Sequence, residues 1–238
     1  MLDVKTGSGA FMKTEEDSFA LAREMVKIGN GAGRKTVAVI SDMDQPLGRA
    51  IGNALEVEEA IETLKGNGPA DFVELCLTLG TQMLLLGGKA ESEEEARRML
   101  LGTISDGSAL EKLAAFVAAQ GGNPQAVYDT GLLPKASLVY EWKADVTGYV
   151  SHIACDEVGI CSLLLGGGRE TKESSIDLSV GIVLHKKVGD AVSLGDTVAV
   201  LYANDADRLA QAKERLRGAY VFSDTAPERK ELIRGTVR

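Results

Sequence analysis

Asp3-Val4-Lys5-Thr6-Gly7-Ser8-Gly9-Ala10-Phe11-Met12 reads as a short strand that runs into a glycine-rich turn and feeds a helix. In an open parallel sheet that junction sits at the carboxyl end of a strand, where ligands bind. Thr14 followed by Glu15, Glu16 and Asp17 supplies the helix start, a capping hydroxyl with acids in the first turn. Leu21, Met25 and Ile28 then form an i, i+4, i+7 stripe predicted to face the core, and the glycines from Gly29 to Gly33 stop the helix. Thr36 to Ile40 (TVAVI) is a continuous apolar run, as expected of a strand covered on both faces. Helix, stop and buried strand make an αβ unit, and the chain opens in the middle of one, which predicts only part of a parallel sheet.

Further along, helices are predicted over Glu56 to Leu64 and Ala70 to Leu86. The second is apolar nearly all round and is expected to be buried. Ser92 with Glu95, and Ser108 with Glu111, have capping-box spacing. Gly121-Gly122-Asn123-Pro124 ends the helical stretch. From about Leu138 the period shortens. Val146 to Val150 and Val180 to Leu184 read as strands, and V-G-D-x-V-x-x-G-D-x-V over residues 188–198 reads as two turn-and-strand units in succession. A helix from Ala206 to Leu216 and a strand at Tyr220-Val221-Phe222 follow. The expected fold class is α/β over residues 1–134, an incomplete parallel-sheet domain, followed by a β-rich α+β domain over 135–238.

With 45% apolar and 26% charged residues, the 238-residue chain has the composition of a soluble globular protein with ample core. A net charge of −9 argues against nucleic acid, since phosphate binding needs clustered Lys and Arg, and Lys186-Lys187 is too small a patch. No membrane span or signal peptide is expected. Phe72 to Leu86 carries Glu74 and Gln82 and is shorter than the roughly 20 residues that cross a bilayer. Cys76, Cys155 and Cys161 are odd in number and lack metal-like companions, so reduced thiols and a cytoplasmic location are expected.

DVKTGSGAFMKT, together with SDMDQPLGRAIGNALEVEEAI at residues 41–61, resembles the second half of a bacterial pyrimidine-nucleoside phosphorylase. The resemblance is collinear to the last residue and covers about half of the family's length. It implies reversible phosphorolysis, in which a pyrimidine nucleoside and phosphate give a free base and ribose or deoxyribose 1-phosphate. It assigns the substrate side to Gly7, Ser8, Gly9 and Phe11, with Phe11 lining the pyrimidine pocket. On the residues alone, a tight connection with Phe11 in the core is the plainer reading. It assigns a cation, potassium or another, to the backbone carbonyls of Leu47 and Ala50 and the carboxylate of Glu59. Alone, Glu59 on an acidic helix would read as a solvated face. Oxygen donors of this kind suit a hard cation.

The family's phosphate loop and base-gripping residues correspond to positions upstream of this chain, so no catalytic residue is assigned within it. The isolated chain is therefore expected to be inactive and to associate into a dimer or other homo-oligomer. The alternative reading is a non-catalytic binding or assembly module, a relic or one half of a split enzyme. A related phosphoribosyltransferase is a weaker option.

The V-G-D pattern also resembles the half-barrels of biotinyl and lipoyl domains. Lys186 and Lys187 precede the turn rather than occupy a hairpin tip, which argues against a carrier lysine. Gly166-Gly167-Gly168-Arg169 could cradle an anion, but a helix stop is the plainer reading. His152 and His185 have no Ser or Cys at nucleophile-like spacing and are expected to be surface or structural residues.

Overall fold

The computed structural model describes residues 1–169 and 171–238. In chain order the elements are β1 (Leu2–Thr6), α1 (Glu15–Gly31), β2 (Ala38–Asp42), β3 (Ala50–Ile51), α2 (Asn53–Leu64), α3 (Ala70–Leu86), α4 (Glu93–Ser105), α5 (Ser108–Ala119) and α6 (Gln125–Tyr128). There follow β4 (Leu138–Lys143), β5 (Gly148–Ile153), α7 (Cys155–Leu165), β6 (Gly181–Leu184), β7 (Ala191–Val192), β8 (Thr197–Ala203), α8 (Ala206–Ala219), β9 (Tyr220–Ser223) and β10 (Ile233–Val237). The chain divides into two compact units that are not consecutive stretches. One comprises Met1–Gly48, Glu62–Gln120 and Lys230–Arg238, and the other Arg49–Ile61 and Gly121–Arg229. A single cut near residue 134 would assign residues 49–61, 121–134 and the last nine differently.

In the first unit β1 runs parallel to β2, with Leu2 opposite Ala38 and Thr6 opposite Asp42. The sheet has the order β1-β2-β10, so β2 is central, which is why Ala38, Val39 and Ile40 are fully buried. The expected parallel pair is present. The antiparallel partner β10, which brings the chain's end onto the free side of β2, was not foreseen. Its sequence, IRGTV, carries a charge and a glycine and lacks an apolar run. The glycine has a packing reason, because a Cβ on Gly235 would lie 2.7 Å from the ring of Phe19 on α1.

Helix α1 starts where predicted, with the Thr14 hydroxyl accepting from the Asp17 amide at 3.2 Å. Its buried face is rotated from the predicted stripe, of which only Met25 packs, half-buried, against the core. Ser18, Ala22 and Val26 are buried, whereas Leu21 and Ile28 face solvent, Ile28 by 69%. Small side chains let the helix lie close on the sheet, and Ser18 donates its hydroxyl to the Thr14 carbonyl at 2.9 Å. Helix α3 matches its predicted bounds, yet within its unit it is not buried all round. Leu75, Leu77, Thr81 and Gln82 are enclosed while Cys76 and Met83 are exposed. Ser92 caps α4 through the Glu95 amide as expected. The second capping box fails: Ser108 is already inside α5, whose cap position is Gly107, and the Ser108 amide bonds the Asp106 carboxylate instead.

The second unit holds an antiparallel sheet of order β3-β6-β8-β4 and another of order β7-β5-β9. Helices α7 and α8 pack with both around Trp142, Val150, Ile153, Val158, Ile182 and Leu216. Trp142 meets Tyr220 edge-on, ring centres 5.1 Å apart, and the Tyr220 hydroxyl donates to the Lys186 carbonyl at 3.0 Å. No disulfide joins Cys76, Cys155 or Cys161.

Candidate functional site

The glycine turn forms at the carboxyl end of β1. Gly7 has φ = +124°, and a Cβ there would lie 2.7 Å from Asp44 Oδ1 and 2.9 Å from the Met43 carbonyl carbon, so only glycine fits. The turn is held from both sides. The Gly7 amide donates to the Met12 carbonyl at 3.1 Å, closing the loop, and the Gly9 amide donates to the Met43 carbonyl at 2.9 Å. The Met43 amide donates back to the Thr6 carbonyl at 2.7 Å. The Ser8 amide donates to Asp44 Oδ1 at 2.9 Å, and Lys13 Nζ donates to the Ser8 carbonyl. Gly7, Ser8 and Gly9 therefore form one backbone-ordered loop. Phe11, just beyond, is 94% exposed, which excludes the core placement. An apolar ring held in solvent beside an ordered strand-end loop is available to stack on a flat ligand.

Two acids at the end of β2 complete this region, and the sequence reading did not single them out. Asp42 accepts from Arg234 Nη2 at 2.6 Å, with both side chains largely buried. Asp44 accepts from Lys230 Nζ at 2.6 Å. Burial would raise the Asp44 pKa, but the Lys230 hydrogen bond, the Ser8 amide and the charges of Lys230 and Arg234 outweigh it and hold the carboxyl below its usual range. A usable signal was present in the sequence: Asp42 and Asp44 alternate at a strand end, and Lys230 and Arg234 sit in a carboxyl-terminal segment with strand-like Ile233 and Val237.

The three residues assigned to a cation fall into different units: Leu47 in the first, Ala50 and Glu59 in the second. Within the second unit Glu59 is not a solvated acid. Its Oε1 accepts from the Arg49 amide at 2.8 Å and the Ala50 amide at 3.1 Å, tying α2 to the entry of β3. Carbonyl and carboxylate oxygens fit a hard cation in kind, and one of those carboxylate oxygens already serves two amides. Among the described residues no group of three or more His, Cys, Asp and Glu side chains is placed to hold a metal ion.

Gly166 caps α7 in the left-handed conformation, with its amide on the Leu163 carbonyl, so the helix stop is realised there. Gly166 and Gly168 also line a cavity of about 430 Å³ with Asp177, Asn204 and Arg208, while the following Glu170 lies outside the described residues. His152 and His185 are exposed. Lys186 pairs with Asp196 at 2.8 Å and Lys187 is buried, so the lysine pair presents no basic patch. No helix among the described residues is long and apolar enough to cross a membrane.

Residues 1–110 match the model of the glycosyl transferase family a/b domain, and residues 149–223 match that of the pyrimidine nucleoside phosphorylase C-terminal domain. The chain is 54% identical over 233 residues to the pyrimidine-nucleoside phosphorylase of Geobacillus stearothermophilus, an alignment that takes in 98% of this chain and 54% of that one. It is 55% identical over 207 residues to the pyrimidine-nucleoside phosphorylase of Staphylococcus aureus strain USA300, covering 87% of this chain and 48% of the relative. The chain thus spans about half the length of the curated relatives it matches. Two domain models in the expected order, and identity above one half along nearly the whole chain, agree with the motifs at residues 3–14 and 41–61: the chain belongs to the pyrimidine-nucleoside phosphorylase family, within the glycosyltransferases.

Proposed function

We propose that this chain supplies the carboxyl-terminal part of an enzyme that reversibly converts a pyrimidine nucleoside and phosphate to the free base and (deoxy)ribose 1-phosphate. The observation that carries the reading is 54% identity, over 98% of the chain, to a relative that bears this name. The non-catalytic alternative draws no support from relatives named as enzymes. In this reading the Gly7–Gly9 backbone borders the nucleoside and the exposed Phe11 ring lies against the base. Phosphorolysis demands stabilisation of phosphate and of the departing base. The groups that would do this belong to the other half of the family's sequence, so no residue here is given a catalytic role. The carbonyls of Leu47 and Ala50 and the carboxylate of Glu59 would contribute three oxygens to a potassium or similar cation, whose chemistry is to support the phosphate loop electrostatically.

The second unit is read as a biotinyl/lipoyl-like half-barrel. Its V-G-D turns lead into short antiparallel strands at β7 and β8, and Lys186, bound to Asp196 and to the Ala191 carbonyl at 2.7 Å, is not free to serve as a carrier. A cytoplasmic homo-oligomer is the expected setting. The test is phosphorolysis of uridine and thymidine by the 238-residue chain alone, and by the chain joined to the amino-terminal half of the Geobacillus relative. No turnover alone and phosphate-dependent release of base from the joined protein are expected. Turnover by the purified chain alone would overturn the division of labour. A folded joined protein without activity would overturn the functional reading.

A further inference from the structure

The loop at Gly7–Gly9 does not hold itself. Its polar contacts outside residues 6–13 go to Met43 and Asp44, at the end of β2. Those residues are held in turn by the chain's last segment. The Asp42 amide donates to the Leu232 carbonyl at 2.8 Å, and the Asp44 amide donates to Asp42 Oδ2 at 3.2 Å. Arg234 grips Asp42 and Lys230 grips Asp44, each at 2.6 Å. All of these groups belong to one compact unit.

We propose that Arg234 and Lys230 are positioning residues for the Gly7–Phe11 loop, acting through Asp42 and Asp44 rather than by touching substrate. The inference rests on the reading above only in taking that loop to border the base. Backbone pairing of β10 with β2 already fixes the strand, through Ile233, Gly235, Thr236 and Val237. The two ion pairs add something the ladder cannot: Lys230 reaches past the end of β2 to Asp44, which carries a loop acceptor, and Arg234 fixes Asp42, whose Oδ2 receives the Asp44 amide. The side chains of Arg234 and Asp42 are only 16% and 12% exposed, so removing one partner leaves the other charged, largely buried and unmatched. Asp44 does double duty: the carboxylate that receives the Ser8 amide through Oδ1 receives Lys230 through Oδ2. Charge from Lys230 therefore fixes the rotamer that orders the loop. Gly7 packs so near Asp44 that a Cβ there would lie 2.7 Å from Oδ1, so the loop's approach to this carboxylate depends on the glycine.

The experiment measures amide hydrogen exchange of Ser8 and Gly9 in the 238-residue chain, with Ile40 in β2 as the reporter of the whole unit. Lys230→Met, at a side chain 64% exposed, should speed exchange at Ser8 and Gly9 by about tenfold, the loss of one charge-assisted contact, while Ile40 changes less than about twofold. Arg234→Met strips the buried Asp42 of its partner and should raise exchange at Ile40 as well, so the discriminating variants are Lys230→Met and Arg234→Lys, which keeps the charge and should keep Ile40 protected. Unchanged exchange at Ser8 and Gly9 in Lys230→Met, or a rise there matched at Ile40, would overturn the inference. In an active protein carrying this segment, Lys230→Met should raise KM for the nucleoside several-fold with kcat held within about twofold, the pattern of lost ground-state positioning. Faster loop exchange with an unaltered KM would leave the positioning role standing and overturn the placement of this loop at the base.

Discussion

Glu59 spends its charge on the backbone. Its Oε1 receives two amides, from Arg49 and Ala50, at the point where the chain enters β3. That role was not legible in the sequence: Glu56, Glu58, Glu59 and Glu62 look alike on an acidic helix, and only the return of the chain past α2 selects one of them. A weakly held cation would make Glu59→Gln almost neutral. The observed bonds instead set up a graded series. Glu59→Ala, which leaves both amides to find other partners, should destabilise by about 1–3 kcal/mol, and Glu59→Gln, which keeps a neutral acceptor, by about 1 kcal/mol or less. Urea unfolding without added potassium reads both. An Ala variant as stable as the parent would show that the amides are satisfied without Glu59. Phe11 was only half legible: the strand and G-x-G turn set it just past a strand end, but on the residues alone the core was the plainer reading, and its 94% exposure runs against that.

At the scale of elements, the existence of most helices and strands followed from caps and apolar runs, with bounds off by two or three residues at α2, β2 and α8, while faces did not follow. Helix α3 begins at Ala70 and ends at Leu86 as the sequence implies, but a helix apolar all round does not reveal which side its own unit covers. Helix α1 shows the opposite error, since Ser18 and Ala22 were buried in place of the larger Leu21 and Ile28 because the sheet is close. Strand β10 was missed altogether, having neither alternation nor an apolar run. The open face of α3 makes a chemical prediction. Cys76 is exposed there, with its thiol held above the usual value by partial desolvation against a weaker pull from Lys5. Cys161 in α7 is fully buried, and burial pushes its thiol up to about 11. Since the thiolate is the reactive form, a disulfide reagent at pH 8 should label Cys76 in the native chain, and Cys155 and Cys161 only after unfolding. Three thiols titrating together in the native state would contradict this placement of α3 and α7.

On the scale of the whole molecule, the chain's last nine residues, 230–238, belong with its beginning, whereas residues 121–229 form the core of the other unit. Truncation after Arg229 should therefore damage the unit at the opposite end of the sequence. It removes β10 from the central strand β2, uncovers the Phe19 ring that Gly235 accommodates, and leaves Asp42 without Arg234. Loss of the buried partner alone is worth about 3–5 kcal/mol, against a typical domain stability of about 5–15 kcal/mol, so the first unit should be left marginal or unfolded. The second unit loses none of its own residues. Trp142, the chain's single tryptophan, lies in that unit's core and reports on it separately. In thermal unfolding of the truncated chain, the Trp142 fluorescence transition should stay within a few degrees of the parent's, while the helix signal at 222 nm loses a large early fraction. Loss of both signals at one lowered temperature would mean that the two units fold as one, and that the division of the chain at Gly48, Ile61, Gln120 and Arg229 has no energetic counterpart.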